Sequence, residues 1–151
     1  MSWTPIFLVR VDKNLEKGIE KTEENIERWL EIKEEHREAI KNILDKEKCK
    51  LKEINEELEK PLTEKQIEEL AEKKTEKERT ELEREFNKKR EQYKGDLMDI
   101  LLEIKNDLQK GRFLKIEGKN YLCIYTRYSS EANCLLEFFK QNNITYITID
   151  D

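Results

Sequence analysis

The groups in this chain that could do chemistry are one histidine, three cysteines and a large population of carboxylates. A Ser-His-Asp or Cys-His arrangement needs a histidine able to reach a nucleophile. The single His36 instead falls between Trp29 and Ile40 on what reads as an apolar helix stripe, the place of a packing residue. Cys49, Cys123 and Cys134 form an odd set without metal-ligand spacing. They argue against a disulfide scaffold and against a zinc site. The 35 Asp and Glu interleave with 30 Lys and Arg, so most carboxylates face a cation three or four residues away on a solvated helix face. There is no glycine-rich phosphate loop and no Walker pattern. A non-enzymatic protein with no cofactor and no metal is expected.

Charge excludes further classes. Phosphate binding needs clustered Lys and Arg. Only Lys88-Lys89-Arg90 and Lys110-Gly111-Arg112 are dense in them, each beside acidic neighbours, and the net charge is -5. Nucleic acid is therefore not the expected partner. No apolar run reaches the length of a membrane span, and residues 1–11 lack the basic and apolar regions of a signal peptide. A cytoplasmic protein that avoids the membrane is expected.

The elements that must carry these residues are long. In 151 residues, charged side chains make up 43% and hydrophobic ones 36%, with four Gly and two Pro. That leaves little material for loops. Residues 12–110 are mostly Glu, Lys, Ile and Leu and read as two helical arms, 13–60 and 64–110, interrupted at Pro61. Asp12 or Asn14 can cap the first arm, Thr63 and Gln66 form a capping box for the second, and Gly111 ends it. In the first arm Ile19, Thr22, Ile26, Trp29, Lys33, His36 and Ile40 keep 3-4 spacing. Leu44, Glu47, Leu51, Ile54 and Leu58 resume it after a stutter. A short connection between arms of similar length predicts an antiparallel coiled-coil hairpin with its tip near 59–64.

Residues 72–81 contain no large apolar side chain, which predicts a poorly sealed distal seam. Ile43, Leu44 and Leu51 would then await a partner surface. Leu58 and Leu62 at the tip, and Phe138 off the main stripe of the last helix, complete the candidate protein-binding set.

Residues 4–11 form an apolar run that suits an inner strand, and residues 113–117 and 121–126 a hairpin. Ser129 or Ser130 would cap a helix reaching Asn142, with Ala132, Leu135, Leu136 and Phe139 on one core-facing stripe. Residues 144–149 would be a last strand. Strand–helix–strand of this length predicts a crossover with 121–126 and 144–149 parallel, and Tyr121, Cys123 and Tyr125 facing the root of the coil. The expected fold class is α+β: a small four-stranded mixed sheet with one covering helix and the hairpin inserted after the first strand, β-αα-β-β-α-β. Residues 1–12 plus 111–151 form the sheet domain and 13–110 the hairpin.

The block Cys123-Ile124-Tyr125-Thr126-Arg127-Tyr128-Ser129-Ser130-Glu131-Ala132-Asn133-Cys134, continued to Ile147-Thr148-Ile149-Asp150, resembles the opening strand–helix–strand of a glutaredoxin. Its two cysteine positions hold Ser130 and Asn133, with Cys134 one residue late, so the resemblance implies a degenerate thiol protein. The hairpin on a small mixed domain is similar in architecture to Gre-type transcript-cleavage factors. That resemblance implies a role for tip carboxylates, here Glu57, Glu59 and Glu64, in the secondary channel of RNA polymerase. Prefoldin-like chaperones carry hairpins of this kind too. The residues themselves favour a protein-interaction module: a coiled-coil hairpin that docks onto a larger protein machine as regulator, inhibitor or adaptor, or that self-associates.

Overall fold

The computed structural model describes residues 3–150. The elements run β1 (Ile6–Arg10), α1 (Lys13–Asn55), α2 (Glu64–Gln92), α3 (Gly95–Lys110), β2 (Leu114–Ile116), β3 (Lys119–Tyr125), α4 (Ser129–Gln141) and β4 (Tyr146–Ile149). This is the α+β fold expected, with the long helical excursion directly after the first strand. Two compact units divide it: a sheet unit of the residues up to Trp29 and from Tyr93 onward, and a helical unit of Leu30–Gln92. The sheet unit thus includes the first turns of α1 and all of α3, more than 1–12 plus 111–151.

The sheet order is β2-β3-β1-β4. β1 is an inner strand, as its apolar run predicts: Phe7, Leu8 and Val9 point to alternate faces and all three are buried. It pairs antiparallel with β3 on one side, Leu8 opposite Cys123, and antiparallel with β4 on the other, Leu8 opposite Ile147. β2 is also antiparallel to β3. The expected mixed sheet is therefore corrected. β3 and β4 do run in the same sense, but β1 lies between them, so the strand–helix–strand crossover is split and every ladder is antiparallel. The strand that is apolar on both faces takes the inner slot, and the half-exposed β4 is left at the edge.

Local chemistry sets the helix ends. Asp12 caps α1, its Oδ1 accepting the N–H groups of Asn14 at 3.0 Å and Leu15 at 3.1 Å. Thr63 and Gln66 make the reciprocal capping box at α2: Gln66 N–H donates to Thr63 Oγ1 at 3.2 Å and Thr63 N–H to Gln66 Oε1 at 3.0 Å. Gly111, at φ 66°, closes α3 while Arg112 N–H reaches back to the Asp107 carbonyl and Gly111 N–H to that of Leu108, the Schellman pattern. The serine cap predicted for α4 is not made. Tyr128 occupies the cap position without a side-chain bond, and the Ser129 hydroxyl accepts the Trp3 N–H at 2.9 Å instead.

The second arm is not one helix. Lys94 adopts the left-handed conformation, φ 50° and ψ 52°, and separates α2 from α3. The cause sits one residue on. A β-carbon built on Gly95 would lie 2.4 Å from Cζ2 and 2.7 Å from Cε2 of Trp29, and Trp29 is almost wholly buried. Its indole N–H donates to Asp99 Oδ1 at 3.0 Å. Only a residue without a side chain lets the start of α3 lie against that ring, and the break at Lys94 sets its approach.

Above the sheet, Phe139 of α4 meets Phe7 edge-on at 5.5 Å and Tyr146 at 4.9 Å. Leu122, Ile124 and Val9 are buried on the same sheet face, with Leu15 and Ile19 of α1 and Leu97, Ile100 and Leu101 of α3 also in the core. The buried stripe of α4 is Ala132, Leu135, Phe138 and Phe139, with Leu136 only half-buried. Phe138 is therefore a core residue and is withdrawn as a contact candidate. A methyl on Gly18 would come within 3.1 Å of its Cζ, so α1 passes directly over it.

Gly95→Ala tests the Trp29 contact. Alanine in a helix ordinarily gains about 0.5–1 kcal/mol over glycine, whereas overpacking a rigid ring costs about 1–3 kcal/mol. The expected outcome is a lower melting temperature followed by circular dichroism, with near-ultraviolet change at the tryptophan band. A raised melting temperature would show that the indole yields freely.

Candidate functional site

In the helical unit, residues from Leu30 to the end of α1 pair with α2 in reversed order. His36 stacks on Phe86, Glu47 pairs with Lys74, Lys48 with Glu68, and Asn55 with Leu62. That is the antiparallel hairpin the short connection predicts. The seam passes from Trp29 to Ile32, which is buried, rather than to Lys33. Ile32 was not singled out because the strict heptad step skips it.

The distal seam is closed by a mix of large and small residues. Ile67, Ala71 and Thr75 recur every fourth residue on α2 and all are buried. Ala71 and Leu51 join Ile67 in a small core, with Leu62 and Leu70 packed against it. Thr75 tolerates burial because its hydroxyl donates to the Ala71 carbonyl at 2.7 Å and accepts from Arg79 Nε at 3.1 Å. The ion pairs Lys48–Glu68 at 3.3 Å and Lys74–Glu47 at 3.9 Å are partly exposed and contribute on the order of 0–1 kcal/mol each. Packing seals this end, although residues 72–81 contribute no large apolar side chain. Leu51 is thus corrected from a waiting contact to a core residue. Ile43 and Leu44 are half-buried, as is Leu62.

The tip is ordered by one side chain. α1 stops at Asn55, whose Oδ1 accepts the Leu62 N–H at 2.6 Å while its Nδ2 donates to the Leu62 carbonyl at 3.3 Å. Backbone bonds from Glu57 to the Ile54 carbonyl and from Leu58 to the Asn55 carbonyl tighten the turn. Because the helix ends at Asn55, Ile54 and Leu58 leave the seam. They stand in solvent at 54% and 43% exposure. Leu58, a candidate contact residue, is thus exposed, and so is Ile54, although both continue the seam spacing.

The other reactive candidates do not assemble. Glu57, Glu59 and Glu64 are exposed, and among the described residues no three His, Cys, Asp or Glu side chains are placed to hold a metal ion. His36 lies parallel to Phe86, 4.3 Å between ring centroids, and the Arg90 guanidinium sits 5.3 Å from the same Phe86 ring. Cys134 is half-buried, and burial pushes its thiol up, with Asp96, Glu137 and Glu131 adding to the rise and Lys94 opposing it. That is the reverse of the depressed value a redox thiolate needs. Cys49 is exposed and Cys123 half-buried.

One face of the sheet is covered less completely than the other. α4 lies over the side carrying Phe7 and Tyr146, and α1 meets α4 at Gly18 and Phe138. Tyr121, Cys123 and Tyr125 point to the other side with Leu8; Tyr121 and Leu8 are buried there and Cys123 is half-buried. On that side Tyr125 is 69% exposed, Leu114 51%, Ile149 44% and Ile147 43%. The Tyr125 phenol is pushed up by its hydrogen bond with Cys123, and further by that thiol's charge. Beside β4 a groove of about 640 Å³ opens, lined by Leu136, Glu137, Phe139, Lys140, Asn143, Ile144 and Tyr146. Among the described residues, no helix is long and apolar enough to cross a membrane.

No protein-family model matches the chain, and neither a curated protein nor a solved structure matches it.

The raised Cys134 thiol predicts slow alkylation. At pH 7 its thiolate fraction lies below that of an ordinary cysteine, because the folded protein holds the proton more tightly. Iodoacetamide labelling followed by peptide mass spectrometry should modify Cys134 more slowly than a model cysteine peptide. Its rate should still climb at pH values where the peptide has levelled off. A rate above the peptide's at neutral pH would restore the thiol-redox reading.

Proposed function

We propose that this chain is a non-enzymatic protein-interaction module whose helical hairpin presents its tip to a larger protein, which it regulates, inhibits or adapts. The observation that carries the reading is the tip itself. A turn bracketed by Asn55 on Leu62 and a capping box at Thr63 hold Ile54 and Leu58 in solvent. Fixing a loop before binding removes the ordering cost that weakens flexible contacts, and apolar residues inside a charged rim follow the pattern of interface cores. The sealed seam behind the tip supports the same reading, since Leu51, Ile67 and Ala71 give it a firm base. The acidic and basic flanks of α1 and α2 would form a polar rim and set partner choice.

The experiment compares wild-type protein with Ile54→Ser/Leu58→Ser in affinity capture from the native cell, scored by quantitative mass spectrometry. A saturable partner should be lost, or weakened about tenfold or more, which corresponds to roughly 1.4 kcal/mol, while the helical circular dichroism stays unchanged. Equal capture of every partner by both proteins would remove the tip from the function.

A further inference from the structure

The two edges of the sheet are built differently. β2 is three residues long, carries Lys115 and is followed by Glu117 and Lys119, the short charged edge with which proteins block unwanted pairing. β4 and its lead-in, Ile144-Thr145-Tyr146-Ile147-Thr148-Ile149, contain no charge and no proline and are rich in β-branched residues. Nothing in the strand defends it. Its register fixes which groups look outward. Arg10 N–H donates to the Thr145 carbonyl at 2.9 Å, and β1 pairs Val9 with Tyr146 and Leu8 with Ile147. In an antiparallel ladder hydrogen-bonded pairs alternate. Thr145, Ile147 and Ile149 therefore bond toward β1, while the amides and carbonyls of Tyr146 and Thr148 face away from the sheet.

We propose that β4 is the dimerisation edge of this protein and that its occupant is β4 of a second copy. Antiparallel pairing of a strand with itself is two-fold by construction, as a closed dimer requires. Centred on Ile147, it lets Tyr146 and Thr148 exchange their outward hydrogen bonds with Thr148 and Tyr146 of the second copy. The same dyad brings the two α4 helices antiparallel on one side of the enlarged sheet, across the groove beside β4. Glu137 and Lys140 line that groove one helical turn apart and are both exposed. Under the dyad each glutamate meets the other copy's lysine, so the charge pattern is complementary to itself. The half-buried Leu136 becomes covered in the same step. This association uses neither the hairpin nor its tip, so it stands apart from the function proposed above.

The experiment is sedimentation equilibrium of the full chain across a wide concentration range, with three variants. Thr148→Pro removes one outward N–H at an edge position, where proline is tolerated. Lys140→Glu sets acid against acid across the dyad. Glu137→Lys combined with Lys140→Glu inverts both charges and recreates the complementary pattern. The wild type should be a dimer. Thr148→Pro should be a monomer with unchanged circular dichroism, Lys140→Glu should weaken the dimer about tenfold or more, and the double reversal should recover it. A wild type that stays monomeric throughout overturns the proposal. So does a dimer that survives both Thr148→Pro and Lys140→Glu, since it is held elsewhere, as on the less covered sheet face. Failure of the double reversal to recover what Lys140→Glu lost overturns the α4 contact.

Discussion

Everything in the sheet unit depends on β1 having strands on both sides. Phe7 and Val9 are buried beneath the helices, Leu8 is buried on the opposite face, and β3 and β4 supply the hydrogen bonds on either edge. Both neighbours come from beyond residue 118. The chain must therefore bring together segments more than a hundred residues apart before this inner strand is satisfied. Loop-closure entropy rises only logarithmically with length, and a loop made of stiff helices has fewer conformations to lose than a random one. The helical excursion is in this sense a folded connection between β1 and the rest of its sheet.

Within that connection two packing choices matter. Trp29 takes the space that a side chain at residue 95 would need, and Asp99 holds its indole N–H. The helix therefore breaks at Lys94 and restarts at a glycine. Further out the same α1 needs no such bulk, because Ala71 and Thr75 let α2 close on it with small groups. One helix thus carries two kinds of seam, one filled by an aromatic ring and one by close approach.

What the sequence made legible follows the range of each interaction. The cap at Asp12, the box at Thr63 and Gln66 and the stop at Gly111 involve neighbours within five residues, and all three were readable. The inner position of β1 was readable too, from its continuous apolar run. The split order of the sheet was not, because strand adjacency is decided by competition between distant segments. The break at Lys94 was hidden because its cause, Trp29, lies far away in the chain. Leu51 and Phe138 were misjudged for one shared reason. The partners that cover them lie elsewhere than expected: Leu51 is covered by Ile67 and Ala71 rather than by residues 72–81, and Phe138 lies beneath a glycine of α1. At the tip, Ile54 and Leu58 both continue the seam spacing, and their exposure follows from the helix ending at Asn55.

The inner placement of β1 also has a consequence for synthesis. On the ribosome β4 is finished about 140 residues after β1, a wait of roughly 7–28 s at 5–20 residues per second. Until β3 is made, the apolar residues 6–9 of β1 have emerged with neither neighbour present. The charged helices produced in the meantime separate it from its own future partners and keep the nascent chain in solution. Such a segment, apolar and waiting for its neighbours, is a natural grip for a holdase chaperone.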